Sequence, residues 1–118
     1  MFVNQDYTRL KFEKFSPAEL QHLLKTKDVF LLDVRPEEFE ESQDYLEGTL
    51  HCPLIDLERR LAEIPPDKPL VITDWAMKQS PVAAIYLTKK QYNVLGVLKG
   101  GVERWLQEGL TTGNHSAP

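Results

Sequence analysis

Three kinds of side chain in this sequence can do chemistry: one cysteine, three histidines, and two aspartates that follow apolar runs, Asp33 and Asp74. Thiol chemistry has to run through Cys52, because a single cysteine gives neither an intrachain disulfide nor a cysteine-based zinc cage. Cys52 stands at the end of an apolar stretch, just before Pro53, where a free cysteine ordinarily serves as a small buried hydrophobe. His51 is its neighbour, yet successive residues of a strand point to opposite faces, so no Cys–His pair is implied. His22, His51 and His115 have no metal-ligand spacing, and no metal or other cofactor is expected.

Asp33, Thr73, Asp74 and Lys99 stand at strand ends and invite a second reading, the phosphoacceptor site of a two-component receiver domain. Such a site also needs an acidic pair after the first strand to hold Mg²⁺. Here that position reads Ser16-Pro17, and the receiver reading fails on its metal ligands. The run Glu37, Glu38, Glu40, Glu41 and Asp44 is expected to be a solvated helix face.

The chain's 118 residues suit one domain with a real hydrophobic core. Hydrophobic residues at 42% against 27% charged exclude a disordered composition. A net charge of −4 argues against nucleic acid or anionic membrane as a general partner. No apolar run has the length of a membrane span, and no leader pattern opens the sequence. A cytoplasmic location is the expectation, which a lone reduced cysteine suits.

Strands and helices alternate along the chain. A short strand at Phe12–Phe15 leads into a helix opened by Ser16-Pro17-Ala18-Glu19, in which Ser16 caps, Pro17 suits the first turn and Glu19 closes a capping box. Leu20, Leu23 and Leu24 then share one face. Val29 to Val34 reads as a strand buried on both faces, as in a parallel sheet. Pro36-Glu37-Glu38-Phe39 opens a short acidic helix, and Thr49 to Cys52 is a short strand. Leu54, Leu57, Leu61 and Ile64 have helical spacing. Leu70–Thr73 is a buried strand, Ser80-Pro81 a second cap-and-proline helix start, and Val94–Leu98 the last strand. Gly100-Gly101 makes a tight turn into a helix carrying Val102, Trp105 and Leu106, which Gly109 stops. The expected architecture is a three-layer α/β sandwich with a parallel five-stranded sheet and helices on both faces. It forms one domain over residues 10–110, with flexible termini at 1–9 and 111–118. Ligand sites in such sheets lie beyond the carboxyl ends of the strands. Asp33-Val34-Arg35, the loop from Asp74 to Ser80, and Lys99-Gly100-Gly101 should meet there.

Three segments in this order resemble the rhodanese-like family. Leu31-Leu32-Asp33-Val34-Arg35-Pro36-Glu37-Glu38-Phe39 is similar to the family's D-V-R-x-x-x-E-F signature, one residue shorter. Leu46-Glu47-Gly48-Thr49-Leu50-His51-Cys52-Pro53 is similar to I-P-G-A-x-N-I-P. Lys99-Gly100-Gly101-Val102-Glu103-Arg104-Trp105, followed by Gly109-Leu110, is similar to x-G-G-x-x-x-W…G-L. Active members of that family carry C-x-x-G-x-R-S before the helix, and the cysteine passes sulfur onward as a persulfide. Counted back from Ser80, the resemblance puts Asp74 at the cysteine position, Met77 at the glycine and Gln79 at the arginine, with Lys78 as the remaining cation.

A carboxylate neither attacks sulfur nor carries it as S–S⁻. Met77 gives up the freedom of glycine at φ > 0, and Gln79 gives up a bidentate anion donor. The resemblance therefore implies a non-catalytic binding or regulatory module, with sulfur transfer through Cys52 or a partner's thiol as the alternative. The loop Asp74, Trp75, Ala76, Met77, Lys78, Gln79 and Ser80 is the expected recognition surface for a protein partner or a small anion. Asp74 either folds the loop by accepting its N–H groups or takes part in recognition itself. Asp33 and Arg35 are expected to support the site from below. Asp33 would accept loop or helix N–H groups, and Arg35 would pair with an acidic neighbour such as Glu38. Gly100 and Gly101 would turn the backbone beneath the loop.

Overall fold

The computed structural model describes residues 12–37 and 42–114. Strand β1 (Glu13–Phe15) enters α1 (Pro17–Thr26) through the capping box read from the sequence. The Ser16 hydroxyl accepts from the Glu19 N–H at 3.1 Å, and the Glu19 carboxylate accepts from the Ser16 N–H at 2.9 Å. The chain continues through β2 (Phe30–Asp33), β3 (Asp44–Tyr45) and β4 (Leu50–His51) to β5 (Leu70–Thr73). Then follow α2 (Ser80–Lys89), β6 (Val94–Leu98), α3 (Gly101–Gln107) and β7 (Gly113–Asn114).

Five strands form one parallel sheet in the order β1-β6-β5-β2-β4. β2, β5 and β6 are central and largely apolar, as strands covered on both faces must be. On one face Leu32, Ile72 and Val97 pack with Ala83, Ala84 and Leu87 of α2, together with Leu57 and Ile64. On the other, Leu31, Val71 and Leu98 pack with Leu20 of α1 and with Val102 and Trp105 of α3. The α/β sandwich expected from the sequence is the fold observed, and β2, β5 and β6 all end on the face where the functional loops lie. No helix among the described residues is long and apolar enough to cross a membrane.

The structure departs from the sequence reading in three places. The stretch carrying Leu54, Leu57, Leu61 and Ile64 is two 3₁₀ turns, Leu54–Asp56 and Leu61–Glu63, rather than one helix. Helical spacing put four apolar side chains inward, and short turns do so equally well. Gly113–Asn114, expected in a loose tail, forms a two-stranded antiparallel ribbon with Asp44–Tyr45. The Trp105 indole N–H donates to the Thr111 carbonyl at 2.9 Å, which fastens the segment leading to it. Ser80 is the first residue of α2 rather than its cap, and the preceding Gln79 makes no side-chain cap bond. The expected acidic helix from Pro36 falls mainly on residues outside those described.

Gly96 lies where β6 meets β1, opposite Glu13, and a Cβ at that position would strike the Glu13 carbonyl. Gly96→Ala is therefore expected to loosen β1 and cost roughly 1–3 kcal/mol, the range for overpacking. Urea denaturation and amide exchange at residues 13–15 check this; an unchanged midpoint with protected β1 amides contradicts it.

Candidate functional site

Asp74 follows β5 directly and is completely buried. Its carboxylate turns back under the loop that leads to α2. One oxygen accepts the Met77 N–H at 2.6 Å and the Ser80 hydroxyl at 3.3 Å. The other accepts the N–H groups of Lys78, Gln79 and Ser80 at 2.7, 2.6 and 3.0 Å. Helices begin with N–H groups that have no intrahelical acceptor, and their positive end favours an anion. Here a side chain six residues before Ser80 supplies that anion, which explains why Gln79 and Ser80 need not cap α2 themselves. The Asp74 carboxylate thus accepts the N–H groups of all four residues from Met77 to Ser80.

The backbone bends hard to achieve this. Met77 sits at φ 62°, the left-handed region, despite carrying a side chain. The absence of glycine here predicts the loss of that conformation. The chain adopts it nonetheless, and the bonds to Asp74 offset the strain of about 1–2 kcal/mol.

From the other side, α3 holds the same loop. Val102 N–H donates to the Asp74 carbonyl at 2.8 Å and Glu103 N–H to the Trp75 carbonyl at 2.9 Å. Gly100 and Gly101 make this contact available. Both have positive φ, and a Cβ on Gly101 would collide with the Trp75 carbonyl. The loop is therefore clamped between the starts of two helices. Its outer surface consists of Trp75, Ala76 and Met77, all half-buried, and the exposed Lys78.

Asp33 and Arg35 lie below, both fully buried. They pair with each other: Arg35 Nε and Nη2 donate to the two Asp33 oxygens at 3.0 and 3.2 Å, and the Arg35 N–H donates at 3.0 Å. The Thr73 hydroxyl completes the Asp33 shell at 2.7 Å. Asp33 thus accepts a loop N–H, that of Arg35, and the acidic neighbour that pairs with Arg35 among the described residues is Asp33 itself; Glu38 lies outside the described residues. A buried carboxylate needs a cation close by, and a guanidinium two residues along the same chain satisfies it with a fork of hydrogen bonds.

The surroundings of Arg35 were not legible in the sequence. Its guanidinium lies 3.8 Å from the centre of the Tyr45 ring and 5.9 Å from that of Trp75, and Nη2 donates to the Asp44 carbonyl at 2.6 Å. His51 is 2.7 Å from the Arg35 carbonyl through Nε2, and its ring lies 5.0 Å from Tyr45. Burial raises the Tyr45 phenol above its ordinary pKa, opposed by the Arg35 charge. Tyr45 and His51 gave no signal beyond their place near short strands.

Cys52 stands apart from all of this. It is fully buried in the apolar core on the α2 side, and its thiol approaches the Pro53 carbonyl at 3.8 Å. Burial raises its pKa. His51 turns to Arg35, so the two do not form a nucleophile–base pair. No cluster of His, Cys, Asp and Glu among the described residues can hold a metal ion.

Comparison with known proteins places these features in a family. The model of the rhodanese-like domain matches residues 16–108. A sulfurtransferase of Allochromatium vinosum is 34% identical over 91 residues, which cover 76% of this chain and 83% of the relative. The crystal structure of a rhodanese-related protein from Thermoplasma volcanium superposes with a TM-score of 0.75 at 24% identity, covering 86% of this chain and 98% of that one. A NAD-dependent persulfide reductase from A. fulgidus is similar at 33% identity, with a TM-score of 0.64. That similarity covers 87% of this chain but only 17% of the reductase.

Two stability predictions follow from the geometry. Asp74→Ala removes the acceptor of four backbone N–H groups, and its expected cost is about 2–4 kcal/mol, since water replaces only part of the loss. Asp33→Ala leaves Arg35 buried without its carboxylate, for an expected cost of about 3–5 kcal/mol. Chemical denaturation measures both, and a midpoint unchanged in either variant contradicts the corresponding role.

Proposed function

Because the chain belongs to the rhodanese-like family, we propose that it is a non-catalytic member, a binding or regulatory module with Asp74 at the position of the family's sulfur-carrying cysteine. The observation that carries this reading is the Asp74 carboxylate itself, which takes the N–H groups of residues 77–80. In sulfur transfer a thiolate attacks the outer sulfur of thiosulfate, releases sulfite and becomes a persulfide, from which cyanide then takes the sulfur as thiocyanate. A carboxylate cannot begin this sequence. The same geometry argues against a small anion as the ligand, because its donors are already engaged by Asp74. A protein partner contacting Trp75, Ala76, Met77 and Lys78 is the reading that remains. Aromatic side chains at the centre of such a surface are the usual anchors.

The alternative, sulfur transfer through Cys52 or a partner's thiol, draws on the sulfurtransferase relative. Cys52 is a poor candidate: it is buried, and burial disfavours the thiolate that would attack. The shift also makes a prediction about pH. With the folded thiol pKa raised, Cys52 favours the folded state below the ordinary thiol pKa of about 8.5, and that contribution is lost as pH rises beyond it. Cys52→Ala is expected to flatten the fall in stability above this pH, measured by denaturation at a series of pH values; an identical pH profile contradicts it.

Activity is tested with thiosulfate and cyanide. The wild type is expected to form no thiocyanate, and Asp74→Cys to gain turnover. Wild-type turnover that disappears in Cys52→Ser would establish the alternative. Silence in both the wild type and Asp74→Cys would mean that Met77 and Gln79 have remodelled the loop beyond rescue by a nucleophile.

A further inference from the structure

The geometry points to Arg35 as a coupling element between the β3–β7 ribbon and the recognition loop: its guanidinium lies near both Tyr45 and Trp75 and bonds the backbone of β3. Asp33 tethers the guanidinium through two hydrogen bonds, so its position is shared among that carboxylate, the Asp44 carbonyl and the two rings. Nη2 reaches the Asp44 carbonyl at 2.6 Å, within the strand that pairs with Gly113–Asn114. The face of Tyr45, the other ribbon residue, lies 3.8 Å from the charge. On the loop side the Trp75 ring centre lies 5.9 Å away, inside the range in which a cation is attracted to an indole face. Thr73 strengthens the link, since its hydroxyl binds Asp33 and the next residue is Asp74.

Two rings that share one tethered cation are energetically linked through its position, because loss of either contact lets the guanidinium resettle against its remaining partners. A change that moves Trp75, such as a partner's contact, alters the stability of the ribbon. Opening of the ribbon alters the seat of Trp75, and the effect is reciprocal. The chain's C-terminal strand thereby regulates the surface to which the proposed function assigns partner binding. That assignment is the basis for calling the surface a recognition loop, whereas the coupling itself is a property of the free protein.

The test uses the free full chain, so a failure to find any partner leaves its result intact. Trp75→Ala is the first variant, because Trp75 is half-buried at the loop surface. Loss of one cation–π contact is expected to raise amide exchange in residues 44–45 and 113–114 about 2–5-fold, with exchange in α2, which packs on the opposite face of the sheet from Trp75, unchanged. Trp75→Phe, which keeps a ring face, is expected to restore most of the protection. In the reverse direction, Tyr45→Leu is expected to shift the indole N–H resonance of Trp75 while the α2 amides keep their positions. Ribbon exchange unchanged in Trp75→Ala, a uniform rise across the whole protein, or a Trp75 resonance unmoved in Tyr45→Leu each overturns the proposal.

Discussion

The site depends on one buried carboxylate. A strand that ends under a helix start leaves several N–H groups pointing into a common space, and they need an anion. Asp74 supplies it from within the chain. With both oxygens engaged, the loop has a fixed shape without any ligand, and even the left-handed Met77 is held in place. The clamp from α3 through the Asp74 and Trp75 carbonyls then leaves the loop little freedom in either direction.

This arrangement separates the two things the fold usually combines, an anion cradle and a nucleophile. On the proposed reading the cradle persists, filled by a carboxylate that has no sulfur chemistry. Cys52, the one thiol in the sequence, sits in the apolar core where its thiolate is disfavoured. On that reading the outer face of the loop serves recognition, with a half-buried indole beside an exposed lysine, backed by a charged pair at Asp33 and Arg35 that no solvent reaches. A rigid surface of this kind suits recognition, because little ordering is required on binding.

Much of this was legible in the sequence wherever the controlling interaction was local. The capping box at Ser16 and Glu19, the double glycine before α3 and the apolar strand runs each carry their cause within a few residues. The acceptor role of Asp74 was legible too, since the strand-to-helix loop announces its N–H groups. The long-range polar pairings were not. Beyond its local pair with Asp33, Arg35 finds an acceptor in the Asp44 carbonyl and aromatic neighbours in Tyr45 and Trp75, and no spacing rule connects these positions. The ribbon at Gly113–Asn114 was hidden in the same way, because its polar, turn-forming composition resembles a loose end and its partner strand has only two residues. The spacing of Leu54, Leu57, Leu61 and Ile64 recorded which side chains face inward and could not distinguish an α-helix from successive 3₁₀ turns.

The central claim is that Asp74 satisfies the loop donors, so that the cradle takes no outside anion. The most direct measurement follows the backbone amide resonances of Met77, Lys78, Gln79 and Ser80 while thiosulfate is added to the wild-type protein at constant ionic strength. The account predicts that these four amides stay where they are while those of the exposed surface respond only weakly and without saturation. Saturable movement of the four amides together would show that the carboxylate yields its place to a ligand, and would contradict the account.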